Sequence, residues 1–178
     1  MDNVEAIIDV AWRARREGRH QDAELGLRRA SDASRASGDG RQLAAALGKL
    51  AHVVRDLGRH DEALRLTEEA VVVSRGTGDD LLLAHAVRHL GDVHRDAGRL
   101  AEADPCYAEA LALYRAADAP DPLDVANALR PAALLKASQG RSAEALALFS
   151  EARTRYQEAG IEAGVEECAR NIATLGRP

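Results

Sequence analysis

The dipeptide Gly-Arg returns at a nearly constant interval along this 178-residue chain. The dipeptide also occurs at 40–41 and 176–177, but the occurrences at 18–19, 58–59, 98–99 and 140–141 form a regular series with intervals of 40, 40 and 42 residues. Each of these glycines is followed by an acidic residue at the fourth position and by alanines at the fifth and twelfth positions. A fixed period of this length is typical of a solenoid, in which each unit buries its apolar surface only against its neighbours.

Each period contains two segments in which apolar residues recur at helical spacing. Gly58 ends the first helix of the second period, because glycine adopts the left-handed conformation found just past a helix end. Asp79 or Asp80 caps the helix that follows Gly78. The predicted helices cover 2–17, 20–36, 41–57, 60–76, 80–97, 100–117, 123–139, 142–159 and 162–175.

These helices form one all-α domain over residues 1–178. The repeats cover about 2–38, 40–78, 80–119 and 121–160, and the ninth helix, within 161–176, is a half-repeat that caps the array. Since the sequence begins with Met1 and ends in a half-repeat, we expect a complete protein.

Composition narrows the function classes further. Hydrophobic residues make up 46% of the chain and aromatic residues 3%, which suits closely packed helices better than a β-sandwich. The formal net charge of −5 argues against nucleic acid as the main partner. No apolar run is long enough to span a membrane. Cys106 and Cys168 lie far apart at apolar positions, which favours buried thiols and a reducing, cytoplasmic location.

The pattern resembles the tetratricopeptide repeat family over the whole chain. The residues that carry the resemblance are small ones at the helix crossings, the alanines after the turns, and two bulky rings: Ala51, Gly91, Ala133, Ala63, Ala103, Ala145, Tyr107, Phe149, Ala70, Ala110 and Ala152. The phrases at 103–107 and 122–126 resemble the kinesin-light-chain-like subgroup, although Arg130 and Pro131 replace the paired asparagines that this subgroup often carries.

The resemblance implies a right-handed superhelical solenoid of antiparallel helix pairs, with the first helix of each repeat lining a concave groove. It also implies that the chain binds a protein or a peptide. The candidate ligand-binding residues of the groove are Arg15, Lys49, His52, Arg55, His85, Arg88, His89, Asp92, Arg95, Asn127 and Arg130.

An arginine ladder runs through three of the groove helices. Arg15, Arg55 and Arg95 each stand three residues before a turn glycine. Together with Lys49, Arg88 and Arg130 they form a basic floor suited to carboxylates, so the expected ligand is an acidic or phosphorylated peptide. The alternative is a self-neutralised surface, because aspartates lie close to these arginines in sequence.

The groove also contains histidines and a single tryptophan. His85 and His89 are four residues apart on one helix, and His52 lies on the neighbouring first helix, so a metal site is an alternative to a polar groove wall. Trp12 either packs against the second repeat or serves as an anchor for a partner. The five-residue clamp of chaperone-binding family members does not fit this chain in any frame.

No pattern predicts a catalytic residue, a metal ligand set or a cofactor site: the glycines lie at turns and no serine has an activating histidine. The expected function is a non-catalytic protein-interaction module that binds an acidic peptide in its groove. The alternatives are a regulatory module that responds to a small effector or signalling peptide, and a metal-binding protein. We expect a monomer, or a weak homo-oligomer formed through the terminal helices.

Overall fold

A computed structural model describes residues 3–177. Within that range the chain forms nine α-helices and no strand. The predicted bounds agree with these helices to within two residues, and the predicted start of the first helix at residue 2 lies outside the described range. The helices are α1 (Val4–Arg16), α2 (His20–Ser37), α3 (Gly40–Asp56), α4 (His60–Thr77), α5 (Asp80–Asp96), α6 (Leu100–Ala116), α7 (Pro122–Ser138), α8 (Ser142–Glu158) and α9 (Glu162–Leu175).

The helices pack in the order of the sequence, which produces a solenoid. Each helix packs on the next one, from α1 against α2 to α8 against α9. The first helices of the repeats also touch one another, through α1 with α3, α3 with α5, and α5 with α7. They therefore form one continuous side of the array, and the second helices form the other.

Turn and cap residues set where the helices end. Gly58 has φ +79°, a left-handed conformation that residues with a Cβ rarely adopt. This conformation lets the Arg59 amide donate back to the Val54 carbonyl at 2.9 Å and close α3. Asp79 caps α5, where one carboxylate oxygen accepts from the Leu81 and Leu82 amides at 3.1 Å. The capping prediction is therefore confirmed at Asp79.

The repeated alanines allow the helices to approach closely. Ala23, Ala63, Ala103 and Ala145 are fully buried, because each lies where a second helix meets its partner. Gly91 serves a related purpose on α5, since a Cβ there would lie 2.8 Å from Cε1 of the Tyr107 ring. Small residues at these positions leave room for the bulky rings that fill the core.

The two cysteines differ in burial. Cys168 is fully buried, as predicted, but Cys106 is only half-buried at the surface of α6. The Cys106 thiol donates to the Glu102 carbonyl at 3.3 Å. Among residues 3–177, none of the helices combines the length and apolar character needed to cross a membrane.

Candidate functional site

A pocket of about 520 Å³ opens on the side formed by the first helices. It is lined by residues of α1, α3 and α5, with Thr67, Ala70 and Ser74 of α4. We call it the cation pocket, because its lining residues in the described chain include four cations and no carboxylate. The four cations are Arg15, Lys49, Arg55 and Arg88. This local excess of positive charge contrasts with the net negative charge of the whole chain.

Seven of the eleven candidate groove residues line this pocket. They are Arg15, Lys49, His52, Arg55, His85, Arg88 and His89. Asp92 lies directly behind Arg88, bonded to its guanidinium. Arg95, Asn127 and Arg130 are not among the lining residues.

Three of these residues, His52, His85 and His89, form the histidine cluster. The Nε2 atom of His89 lies 3.4 Å from Nε2 of His52 and 3.1 Å from Nε2 of His85. A guanidinium nitrogen of Arg88 lies 2.6 Å from the same His89 atom. A guanidinium nitrogen of Arg55 lies 3.2 Å from Nδ1 of His52. One nitrogen of His89 is therefore surrounded by three polar groups.

The hydrogen-bond partners determine the tautomers of this cluster. Arginine can only donate, so Nδ1 of His52 and Nε2 of His89 must both be acceptors. The proton of neutral His52 then resides on Nε2 and points at His89. His85 avoids a clash of lone pairs only if its own Nε2 also carries a proton. Three donors thus share a single nitrogen lone pair.

A buried network behind the cluster fixes Arg88. The Asp92 carboxylate accepts from Arg88 at 3.0 Å and from the Tyr107 hydroxyl at 2.8 Å. Arg88 and Asp92 are each only 9% exposed. Nε of Arg88 and Nδ1 of His89 have no hydrogen-bond partner despite their burial. Such a guanidinium is held in place, but its donors are not fully used.

Burial and neighbouring cations keep the histidine cluster neutral. Burial, with a smaller contribution from Arg55, lowers the pKa of His52 to about 3. The side chain of His85 is 48% exposed and lines the pocket, and the surrounding protein and Arg88 lower its pKa to about 4. Burial and Arg88 also lower the pKa of His89 well below its ordinary value. At neutral pH the positive charge of the pocket therefore belongs to arginine and lysine.

Trp12 forms the α1 wall of the pocket. The Nζ atom of Lys49 lies 4.4 Å from its ring centroid and the guanidinium carbon of Arg15 lies 4.6 Å from it. The ring also meets that of His52 edge-on, with centroids 5.8 Å apart, so the predicted packing of Trp12 against the second repeat is observed. Lys49 forms no salt bridge within the described residues, although Asp9 attracts its charge from a longer distance, so its ammonium group can pair with a ligand.

The arginine ladder bridges consecutive repeats. Nε of Arg15 donates to Asp56 at 2.7 Å, and Arg55 donates to Asp96 at 3.3 Å, both across 41 residues. Arg95 pairs with Asp96 and Asp92 of its own helix instead. The ladder is thus partly neutralised by aspartates, which agrees with the self-neutralised alternative for these residues.

The two predicted groove residues of α7 contribute to packing. The Asn127 amide oxygen accepts from the Tyr156 hydroxyl at 2.9 Å. Arg130 donates to both carboxylate oxygens of Glu167 at 3.0 Å and so ties α7 to the capping helix α9. Among the described residues, no group of three or more His, Cys, Asp or Glu side chains is arranged to hold a metal ion. The geometry therefore gives no support to the metal alternative.

Sequence reasoning did not assign several residues that shape the pocket. Thr67 and Ser74 of α4 line it, although second helices were expected on the opposite side. The sequence places Asp56 and Asp96 next to Arg55 and Arg95. In the structure Asp56 pairs with Arg15 of the preceding repeat, and Asp96 pairs both with Arg55 of the preceding repeat and with its neighbour Arg95. The repeat period could have predicted these pairs, since residues about one period apart lie on adjacent first helices.

Two family profiles match the chain. The tetratricopeptide repeat profile matches residues 81–158, and the profile of anaphase-promoting complex subunit 5 matches residues 11–97. The first match covers repeats whose helices α5 to α8 have the predicted paired arrangement. This match assigns residues 81–158 to the tetratricopeptide repeat family. No curated protein sequence matches the chain.

Solved structures share the fold at low sequence identity. BtubC (BKLC) from P. vanneervenii has 23% identity and a TM-score of 0.72, with coverage of 98% of this chain and 82% of its own. A Podosopora anserina protein with nearly identical TPR-like repeats of the kinesin light chain type has 16% identity and a TM-score of 0.70, with coverage of 98% and 97%. A Rap protein complexed with Competence and Sporulation Factor has 14% identity and a TM-score of 0.82, with coverage of 94% and 48%. These likenesses establish the fold.

Proposed function

We propose that this chain is a non-catalytic interaction module that binds an acidic peptide segment at the cation pocket. The observation that carries the proposal is the charge of the pocket lining, with four cations and no carboxylate among the described residues. An acidic side chain or a C-terminal carboxylate provides the missing negative charge, and arginine binds such groups through paired hydrogen bonds.

Lys49 and Trp12 supply the principal contacts for the ligand. Lys49 forms no salt bridge within the described chain, so no direct ion pair has to break when it binds a ligand, although Asp9 attracts its charge from a longer distance. Trp12 offers an aromatic surface to the part of the peptide next to the acidic group. Arg15 and Arg55 also line the pocket and keep their pairs with Asp56 and Asp96. Their charge attracts an acidic segment without requiring those pairs to break.

The test is selection from an unbiased displayed peptide library. We expect peptides that bind the wild-type protein to be enriched in Asp and Glu, and to bind Lys49→Glu at least about tenfold more weakly. The matched control is Arg65→Glu, which makes the same charge change at an exposed position of α4 outside the pocket. Selected peptides without acidic enrichment, or an equal loss of binding in both variants, would contradict the proposal.

A regulatory module for a small effector is the second candidate. The size of the cation pocket favours it, because about 520 Å³ lies within the range of small-molecule sites. The Rap structure with a bound factor belongs to a protein of similar fold, of which this chain covers about half. An effector that fills the pocket should protect the chain from proteolysis. Protection by a peptide but by no small acidic compound would favour the first candidate.

A further inference from the structure

The centre of the histidine cluster contains more hydrogen-bond donors than acceptors. Arg88, His52 and His85 all direct a donor at Nε2 of His89, which has one lone pair. Nε of Arg88 is buried without any partner. A cluster of this kind lacks an acceptor with several lone pairs, which an oxyanion provides.

We propose that the cation pocket binds an oxyanion, either a carboxylate or a phosphoryl group, together with a proton that His89 takes up. The inference rests on the proposed function, because both place an anionic group in the same pocket. The oxyanion accepts the hydrogen bonds of Arg88, His52 and His85. His89 is then released from its role as acceptor, and its Nε2 can bind a proton and donate to the anion as well.

The charges around the cluster are arranged to favour this uptake. Arg88 lies on the Nε2 side of His89, and Arg55 approaches the cluster at Nδ1 of His52. On the far side, Nδ1 of His89 lies 3.7 Å from Asp92, and Nδ1 of His85 lies 3.9 Å from Asp124 of α7. An imidazolium formed at His89 would therefore lie between the bound anion and the Asp92 carboxylate. The charged and titratable groups that face the cluster, its lysine or Arg88 come from five helices. They are Asp9, Arg15 and Arg16 of α1, Lys49 and Arg55 of α3, Arg88 and Asp92 of α5, Tyr107 and Tyr114 of α6, and Asp124 of α7.

The sign of the pH dependence follows from the depressed pKa values of the free cluster. Free His52 and His85, with pKa values of about 3 and about 4, are neutral at neutral pH, as is His89. A bound anion raises these pKa values, so binding takes up protons and affinity rises as the pH falls. Uptake of one proton increases the affinity about tenfold for each pH unit below the pKa of the bound state.

The experiment is a titration of the wild-type chain with sodium sulfate, against sodium chloride at matched ionic strength, between about pH 5 and 8. Sulfate keeps a constant charge over this range, so any pH dependence belongs to the protein. Ring-proton NMR follows each histidine, and the exposed His60 serves as an internal reference. We expect sulfate to raise the pKa values of the histidine cluster and to leave the ring-proton signals of His60 unaffected. Sulfate affinity that does not vary with pH, no detectable binding, or an equal response of His60 would overturn the proposal.

Two variants separate the proton from the anion. We expect His89→Gln to bind sulfate with a weaker pH dependence than the wild type, because its amide oxygen can accept from Arg88 but cannot take up the proton, whereas His52 and His85 remain. The matched control, His60→Gln, should keep the wild-type pH dependence, and an undiminished pH dependence in His89→Gln would contradict the role of His89. If His89→Gln does not fold, the wild-type NMR titration decides. The sulfate experiment uses no peptide, so its failure leaves the result of the peptide selection unaffected.

Discussion

The third and fourth repeats use the same positions of the first helix for different purposes. A shift of 42 residues takes His85, Arg88 and His89 of α5 to Asn127, Arg130 and Pro131 of α7. Arg88 donates to Asp92 within its own helix and faces the cation pocket. Arg130 has Leu134 at the position equivalent to Asp92, and pairs with Glu167 of the capping helix instead. The repeat fixes the position of the arginine, and the residue one turn later decides its partner.

The bulky rings of the second helices differ in the same way. Tyr107 of α6 donates to Asp92, whereas the equivalent ring in the fourth repeat is Phe149, opposite the apolar Leu134. The hydroxyl and the carboxylate are thus absent together in the fourth repeat. The third repeat carries a buried polar network that positions a pocket residue, and the fourth repeat carries an apolar core that supports the cap.

The largest expected effect comes from giving the third repeat the residue of the fourth. Asp92→Leu leaves the buried Arg88 without its carboxylate and removes the acceptor of the Tyr107 hydroxyl. We expect the free energy of unfolding to fall by about 3–5 kcal/mol, measured by urea denaturation. The opposite substitution, Leu134→Asp, should not rebuild the network in the fourth repeat, because Arg130 already pairs with Glu167. We expect it to lower the free energy of unfolding as well. A loss below about 1 kcal/mol in Asp92→Leu would show that the network carries little energy.

The second prediction concerns the stability of the chain at low pH. The third repeat has His85 and His89 where the fourth repeat has Asn127 and Pro131, so only the third repeat should contribute acid sensitivity at these positions. The pKa of each cluster histidine is lower in the folded chain than its ordinary value of 6.5, so the unfolded chain binds more protons below that pH. The free energy of unfolding should therefore fall as the pH drops from about 6.5 towards 4, by up to about 1.4 kcal/mol per pH unit for each of His52 and His89. The contribution of His85 should be smaller, because its side chain is 48% exposed and solvent screens its charge. Thermal melts of the wild type and of His89→Gln measure it. The variant should show the smaller slope, and equal slopes would exclude His89 as a source.

The sequence predicts features that depend on neighbouring residues better than it predicts contacts between residues far apart in the chain. The helices, the turn at Gly58 and the Asp79 cap follow from local pattern, and the structure confirms them. The cluster of His52 with His85 and His89 forms because the first helices α3 and α5 are adjacent, and the repeat period predicts that they are. The pairs Arg130 with Glu167 and Tyr107 with Asp92 depend on side-chain direction and burial, which a repeat pattern does not specify. The pocket was therefore predictable as a set of residues, and the division of the groove into a charged half and a packed half was not.

A smaller effect should distinguish two buried tyrosine hydroxyls. Tyr107 donates to a carboxylate, whereas Tyr156 donates to the Asn127 amide. Hydrogen bonds to charged groups contribute about 1.5–3 kcal/mol and those between neutral groups about 0.5–1.5 kcal/mol. We expect Tyr107→Phe to lower the free energy of unfolding by about 1 kcal/mol more than Tyr156→Phe. The same denaturation experiment tests both, and the reverse order would assign the stronger network to the fourth repeat.

The smallest effect concerns the second helices, where both halves of the array use the same ion pairs. Arg35 donates to Glu69 at 2.6 Å, and Arg115 donates to Glu151 at 2.8 Å, each bridging consecutive repeats. The arginine side chains are 51% and 56% exposed, so solvent screens both pairs. Double-mutant cycles built from Arg35→Gln with Glu69→Gln, and Arg115→Gln with Glu151→Gln, should each give a coupling of about 0.2–1 kcal/mol that decreases with salt. The two pairs occupy equivalent positions of the repeat. Equal coupling energies would show that the two halves of the array differ only in the groove. A clearly larger coupling energy in either half would show that the second helices differ as well.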